Sequence, residues 1–166
     1  MPVTIRPATE ADVPLVLAFI RDLAAYERLA HECVATEARL AETLFGPRPY
    51  AEAVIAEVDG PDGAPTPAGF ALFFHTYSTF LARPGLYLED LFVRPDARGS
   101  GVGRALLAHL AALAVARGCG RLEWSVLDWN ADAIAFYDRL GARPRDGWTV
   151  YRLDGAALEA LGAAGT

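Results

Sequence analysis

Residues 86–107 run without a break from an apolar stretch, Leu86–Val93 (LYLEDLFV), past Pro95 into the turn Arg98-Gly99-Ser100-Gly101-Val102-Gly103-Arg104, and on into Ala105-Leu106-Leu107. An apolar run closed by proline reads as a strand. The glycines then give way to apolar residues at helical spacing, which predicts a helix from about Gly101 to Arg117, capped by Gly118 and Gly120. A strand that feeds directly into a helix commits the chain to stacked α/β layers. The turn itself has chemical potential. Amide N–H groups at a helix N-terminus lack partners and carry partial positive charge, and glycines let an anion approach the backbone. Phosphate is the natural ligand of such a cradle. A nucleotide P-loop needs lysine after its glycines, and all 15 basic residues here are arginine. A dinucleotide fingerprint needs G-x-G-x-x-G, whereas Gly99, Gly101 and Gly103 alternate and Arg104 follows. By spacing alone, a phosphate site and a plain strand-to-helix connector fit this turn equally.

The remaining elements follow from periodicity. Val3–Arg6 reads as a strand. Thr9, with Glu10 and Asp12 behind it, opens an amphipathic helix running to about Leu29. Thr36–Leu44 reads as a shorter helix, Ala53–Val58 as a strand, and Gly60–Pro67 as a loop. Gly69–Tyr77 is a long apolar strand, Leu122–Leu127 a strand, Asn130–Leu140 a helix, Trp148–Leu153 a last strand, and Gly155–Leu161 a short helix. The order is β-αα-β-β-β-α-β-α-β. Consecutive strands predict an antiparallel meander, and strands flanking single helices predict parallel pairing, so the expected sheet is mixed. Without repeats or a linker, 166 residues make one domain spanning 1–166. Glu89 and Asp90 sit inside an apolar strand, where acids are rare. Such local conflicts mark functional sites. In a regular strand the two acids face opposite sides.

Composition narrows the function. A net charge of −6 argues against nucleic acid, which selects basic surfaces, and suits a cationic substrate. The same charge also serves solubility. Two cysteines and three scattered histidines provide no disulfide framework and no metal-ligand cluster, so no metal is expected. The start, MPVTIRPATEADVP, lacks a basic region followed by an apolar one, and no apolar run reaches the ~20 residues of a membrane span. The expectation is a cytoplasmic protein with no membrane partner.

Arg98, Gly101 and Gly103 in their strand–turn–helix setting resemble the acetyl-CoA motif, Arg/Gln-x-x-Gly-x-Gly/Ala, of the GCN5-related N-acetyltransferases (GNAT). The resemblance is nearer still to the diamine, spermidine/spermine-type, branch. IRPATEADV, LAAYE, GFALFFHTYSTF, LYLEDLFV, RGSGVGRALL, DWNADAIAFYDRLGA and GW follow that branch's order along nearly the whole chain. It implies a mostly antiparallel sheet, splayed at a parallel centre and flanked by helices. It implies acetyl-CoA as co-substrate, with pantetheine lying against the backbone of Leu91, Phe92 and Val93. The pyrophosphate would sit at Arg98 and on the amides of Gly99, Ser100, Gly101, Val102, Gly103 and Arg104. Asn130 and Ala133 would meet the distal arm of coenzyme A. Tyr137 takes the place of the general acid and Glu89 that of the carboxylate that binds the amine and accepts its proton. Tyr26, Glu27, Glu123, Trp124 and Asp146 take substrate-lining positions. Asp146 is shorter than the branch's glutamate, and residues 137–148 span three residues fewer, which bears on acceptor specificity. A homodimer is also implied, with Trp148–Leu153 and the apolar tail as its contact.

The chemistry is consistent with these roles. A phenol of pKa about 10 can protonate a departing thiolate, and an alkylamine of pKa about 10.4 must lose a proton before it attacks. A backbone amide near Val93 can polarise the acetyl carbonyl. The plainer readings are that Tyr137 is an aromatic core residue beside Phe136, and that Asp90 makes a structural bond to a turn or helix cap. The expected activity is acetylation of a small primary amine, a di- or polyamine or a lysine-like amine such as thialysine. Glu27, Glu89, Asp128 and Asp146 would draw the cation in. The alternatives are a protein N-acetyltransferase and a non-catalytic acyl-CoA-binding module.

Overall fold

A computed structural model of the chain describes residues 2–165. It falls into two compact units, divided between Leu127 and Asp128. In the first, β1 (Val3–Pro7) leads through a short 3-10 turn into α1 (Val13–Tyr26). Then come α2 (Glu37–Phe45), β2 (Glu52–Asp59), β3 (Pro65–Ser78), β4 (Arg83–Val93), α3 (Val102–Ala116) and β5 (Leu122–Trp124). The second unit holds α4 (Ala131–Arg139) and α5 (Gly155–Ala163). The sheet has five strands in the order β1-β2-β3-β4-β5. The first three pairings are antiparallel and β4–β5 is parallel, as the meander and crossover patterns require.

Each face of the sheet has its own helical cover. On one face Phe70, Leu72, Ile55 and Phe92 pack with Val16, Phe19 and Leu23 of α1 and Leu44 of α2. Phe19 stacks on Phe70 at 5.4 Å between ring centroids. The other face lies under α3. A side chain at Gly69 would meet Val102 Cγ1 of α3, and the Arg117 guanidinium at the end of α3 lies 5.9 Å over the Phe73 ring. Alternation therefore sets Phe70 and Leu72 toward α1, and Gly69, Ala71 and Phe73 toward α3.

The entry to α1 is bolted to the sheet. Arg6 donates to both carboxylate oxygens of Asp12, at 2.8 and 2.9 Å, and to Glu57 at 2.8 Å. Asp12 also accepts from the Thr9 amide and hydroxyl. The Arg6 hydrogen bond, aided by those from Thr9, holds the Asp12 carboxyl well below the usual carboxylate range. Downstream, Arg28 adopts a left-handed backbone, φ 63°. A helix cannot pass through that conformation, which is why α1 ends before the expected Leu29.

Two expected strands differ. The segment Leu122–Leu127 forms only Leu122–Trp124. Trp148–Leu153 forms no strand among the described residues, so the expected closing β element is missing. Its side chains stand in solvent, Trp148 at 78% exposure and Tyr151 at 93%. Alternation of apolar residues records a requirement for a partner ladder, and none of the described strands meets it.

Replacing Asp12 with alanine removes the charged bond network at the α1 entry. Urea denaturation at pH 7 should show a loss of about 1–3 kcal/mol. The Asp12 pKa is depressed on folding, so its stabilisation is present above the ordinary carboxyl pKa near 4 and is lost below it. The difference between wild type and variant should therefore narrow as pH falls below 4.

Candidate active site

The glycine turn takes the form its residues predict. After Pro95–Ala97, Gly99 and Gly101 adopt φ of 76° and 94°, and a Cβ at either would meet nothing within 4 Å. Conformation, not crowding, calls for glycine here, and the space beside the backbone is open. Gly101 caps α3, whose first helical bond runs from Ala105 N to Gly101 O. The amides of Val102, Gly103 and Arg104 precede the first helical donor, Ala105 N, and point out of the helix end. Ser100 Oγ donates to Ala97 O at 2.6 Å and stiffens the turn. The Val102 side chain is buried.

Beside this turn β4 has a free edge. It pairs with β5 only at Leu86, Tyr87 and Leu88, so residues 89–93 have no strand on that side among the described residues. Leu91, Phe92 and Val93 thus offer backbone groups next to the helix end, the splay that the sequence resemblance implies. Arg98 links this strand to α1. Its Nε donates to Val93 O at 3.1 Å, and its guanidinium lies 4.8 Å over the Tyr26 ring and 5.9 Å from that of Phe92. A groove of about 310 Å³ is lined there by Asp22, Ala25, Tyr26, Phe92, Pro95 and Arg98.

The acids of β4 are not arranged as a regular strand would place them. Leu72 pairs with Asp90, but Phe73 pairs with Leu88, so Glu89 is an extra residue, a β-bulge. Leu88 shares the α3 face with Phe73, while Asp90 shares the α1 face with Leu72 and Phe92. The reading that Asp90 makes a structural bond to a turn or helix cap is corrected. It lies on the side of Tyr26 and Glu27, and its side chain has no hydrogen bond or ion pair among the described residues. Burial first, then the charges of Glu89 and Glu27, push the Asp90 carboxyl up to about 6. Glu27, the residue that caps α1, is half-buried, and burial raises its carboxyl also. Glu89 is exposed. The signal was present in the apolar spacing: Leu86, Leu88, Leu91 and Val93 share one face only if one residue is inserted between 88 and 91.

Other expected site residues have structural partners. Glu123 on β5 pairs with Arg121 at 2.5 Å, and Trp124 stands opposite Leu88. In the second unit Asn130 Oδ1 caps α4 by accepting from Ala133 N at 3.2 Å. Tyr137 packs beside Phe136 with ring centroids 5.5 Å apart. Asp146 precedes Gly147, whose φ of 86° turns the chain. The first unit therefore brings together Tyr26, Glu27, Glu89, Asp90, Arg98 and the 91–93 edge, while Tyr137, Asn130, Ala133 and Asp146 belong to the second. Among the described residues no group of three His, Cys, Asp or Glu is placed to hold a metal ion.

The family model described as acetyltransferase (GNAT) family matches residues 20–142. The chain is 37% identical to the L-ornithine N5-acetyltransferase of Arabidopsis thaliana, over 95% of this chain and 86% of that protein. It is 36% identical to the thialysine N-epsilon-acetyltransferase of Bos taurus, over 96% of each. Among solved structures, an integron cassette protein from the mobile metagenome of V. cholerae superposes with a TM-score of 0.79 at 28% identity, covering 98% of both chains.

The Asp90 environment has a measurable consequence for stability. A carboxyl raised on folding leaves the native state fully stable below its unfolded pKa and costs stability as pH rises through the folded value. Asp90→Asn should therefore raise the melting temperature by a few degrees at pH 7.5 and leave it unchanged near pH 4. Thermal unfolding followed by circular dichroism across that range checks it.

Proposed function

The chain belongs to the GNAT family of acetyltransferases and is an acetyl-transfer enzyme; from that premise we propose that it moves the acetyl group of acetyl-CoA onto the primary amine of a small molecule. The observation that carries this reading is the free edge of β4 running into the glycine turn and the open N-terminus of α3. That backbone fits the coenzyme. Leu91, Phe92 and Val93 would hold pantetheine like an added strand, and the amides from Gly99 to Arg104 would hold the pyrophosphate. Asn130 and Ala133, at the start of α4, would meet the distal arm. Acetyl-CoA supplies an activated thioester.

The chain's own residues do the rest. Tyr26 and Glu27 receive the ammonium end of the acceptor, and Glu89 takes its proton. The Tyr137 phenol delivers a proton to the departing sulfur. Glu123, Trp124 and Asp146 complete the acceptor site. The relatives named for ornithine and thialysine support an amino acid-like acceptor, an aliphatic amine at the end of a short chain. We take both units as one acetyltransferase domain, because the family match crosses the boundary between them. The exposed apolar segment with Trp148 and Tyr151 supports a homodimer, and we place the protein in the cytoplasm.

The test is a thiol-release assay with acetyl-CoA and ornithine, thialysine, spermidine or a lysine-bearing peptide. At least one small amine should turn over 10-fold or more faster than the peptide. A faster peptide would make the enzyme a protein acetyltransferase, and acetyl-CoA binding without any turnover would favour a binding module. Tyr137→Phe should reduce kcat about 100-fold while calorimetric binding of acetyl-CoA persists. Unchanged turnover would remove Tyr137 from the reaction.

A further inference from the structure

We propose that the part of the sheet before the bulge carries a subsite for the amino acid head of the acceptor, with Arg121 holding its α-carboxylate and Glu123 its α-ammonium. The inference rests on the acetyl-transfer reading above and specifies the acceptor as an α-amino acid with a terminal amine rather than a plain diamine.

Direction comes first. The coenzyme is assigned to residues 91–104, so an acceptor that reaches the bulge must approach along the strand before it. There Phe74 pairs with Tyr87, and Tyr87 with Glu123. Phe73 and Leu88 face α3, so Phe74, Tyr87 and Glu123 face the α1 side. The buried cluster under α1 takes in Phe70, Leu72 and Phe92 and leaves Phe74, Tyr87 and Glu123 outside it. Arg121 lies on the same side. A side chain at Gly85, which shares the face of Tyr87, would touch both Thr76 Oγ1 and the stem of Arg121. Together these residues form one polar surface beside the Phe74 and Tyr87 rings, whose centroids are 5.2 Å apart.

The groups on that surface match an α-amino acid head. Arg121 Nε and Glu123 Oε1 lie 2.5 Å apart, with side chains 43% and 37% exposed. An exposed ion pair contributes little to stability, so a zwitterion can open or join it at small cost. Arginine receives a carboxylate through parallel N–H bonds. The hydroxyls of Tyr87 and Ser125 share a hydrogen bond of 2.7 Å. One hydroxyl proton is used inside that pair, which leaves the other O–H to donate outward. Thr76 Oγ1, beside Gly85 and Arg121, is buried without a hydrogen-bond partner among the described residues. A diamine lacks the carboxylate that these donors fit. The spacing agrees. Tyr87, with Glu123 opposite, lies two residues before Glu89, about 7 Å of strand. The side chain of ornithine or thialysine covers a comparable span.

The experiment measures kcat/KM for ornithine and for putrescine, which differ by one carboxylate, in wild type, Arg121→Gln, Arg121→Lys and Tyr87→Phe. Wild type should favour ornithine by about 10-fold or more. Arg121→Gln should cut that preference by about 10-fold, through a higher KM for ornithine rather than a lower kcat. Arg121→Lys should recover part of it, since the charge is kept and the planar fork is lost. Tyr87→Phe, which keeps the ring on Phe74, should reduce the preference by about 3-fold. A merely structural Arg121 would lower both acceptors alike and leave the preference unchanged. That result overturns the proposal, as does a wild type that favours putrescine or shows no preference. If wild type acetylates no amine, the acetyl-transfer reading fails, and calorimetric titration with ornithine, with and without coenzyme A, decides the subsite by itself. Binding about 10-fold weaker in Arg121→Gln upholds it, and equal or absent binding overturns it.

Discussion

The extra residue in β4 is the constraint from which the arrangement of the site follows. In a two-residue repeat, one insertion exchanges the faces of every side chain beyond it. Leu88 still meets Phe73 on the α3 side, but Asp90 and Phe92 now meet Leu72 and Phe70 on the α1 side. Phe92 can therefore enter the cluster around Phe19, while Leu91 and Val93 take up the α3 side. The same shift that completes the α1 core also carries an acid into it. Packing and the placement of the acid have one cause here, so removing the bulge would change both.

Helix α1 is held at three points, and each has consequences for the site. The Arg6–Asp12–Glu57 network fixes its entry against β1 and β2. Phe19, stacked on Phe70, fixes its middle over the sheet. Arg98 fixes its end, with the guanidinium on the Tyr26 ring and one N–H on Val93 O. Stacking of a planar cation on an aromatic face contributes about 0.5–2 kcal/mol, more when water is excluded. The reach of Tyr26 and Glu27 toward β4 is thus set by a residue in the turn beside the open N-terminus of α3. A sequence motif expected to serve phosphate also ties the two sides of the groove together through its arginine.

Much of this was legible in the amino-acid sequence, and the parts that were not have physical reasons. The strand–turn–helix run of residues 86–107 was readable because proline, alternating glycines and helical spacing act locally. The sheet order followed from short connections. The face of Asp90 is not given by period-two reasoning, which assumes a regular strand, whereas Glu89 is an inserted residue. The end of α1 was overrun because the apolar repeat continues to Leu29, whereas the left-handed backbone at Arg28 breaks it. Trp148–Leu153 has the pattern of a strand but not the partner, and pairing is a long-range property that no local pattern contains. Site residues Asn130 and Glu123 carried a structural duty, a helix cap and an ion pair, that sequence position does not reveal.

The acids of β4 show how the fold accommodates a costly group. Asp90 would be less costly as leucine, since its neighbours Leu72 and Phe92 are apolar and buried. It lies instead near Glu27 and Glu89, with no cation assigned to it, and their charges add to burial in raising its carboxyl. A positive charge entering that space would meet carboxylates already desolvated in part, which strengthens their attraction beyond what exposed acids provide. The core packed around Phe19, Phe70 and Phe92 supplies the stability that offsets the cost. An acid where the strand pattern asks for an apolar side chain is the kind of local conflict that sets this part of β4 apart from the rest of the sheet.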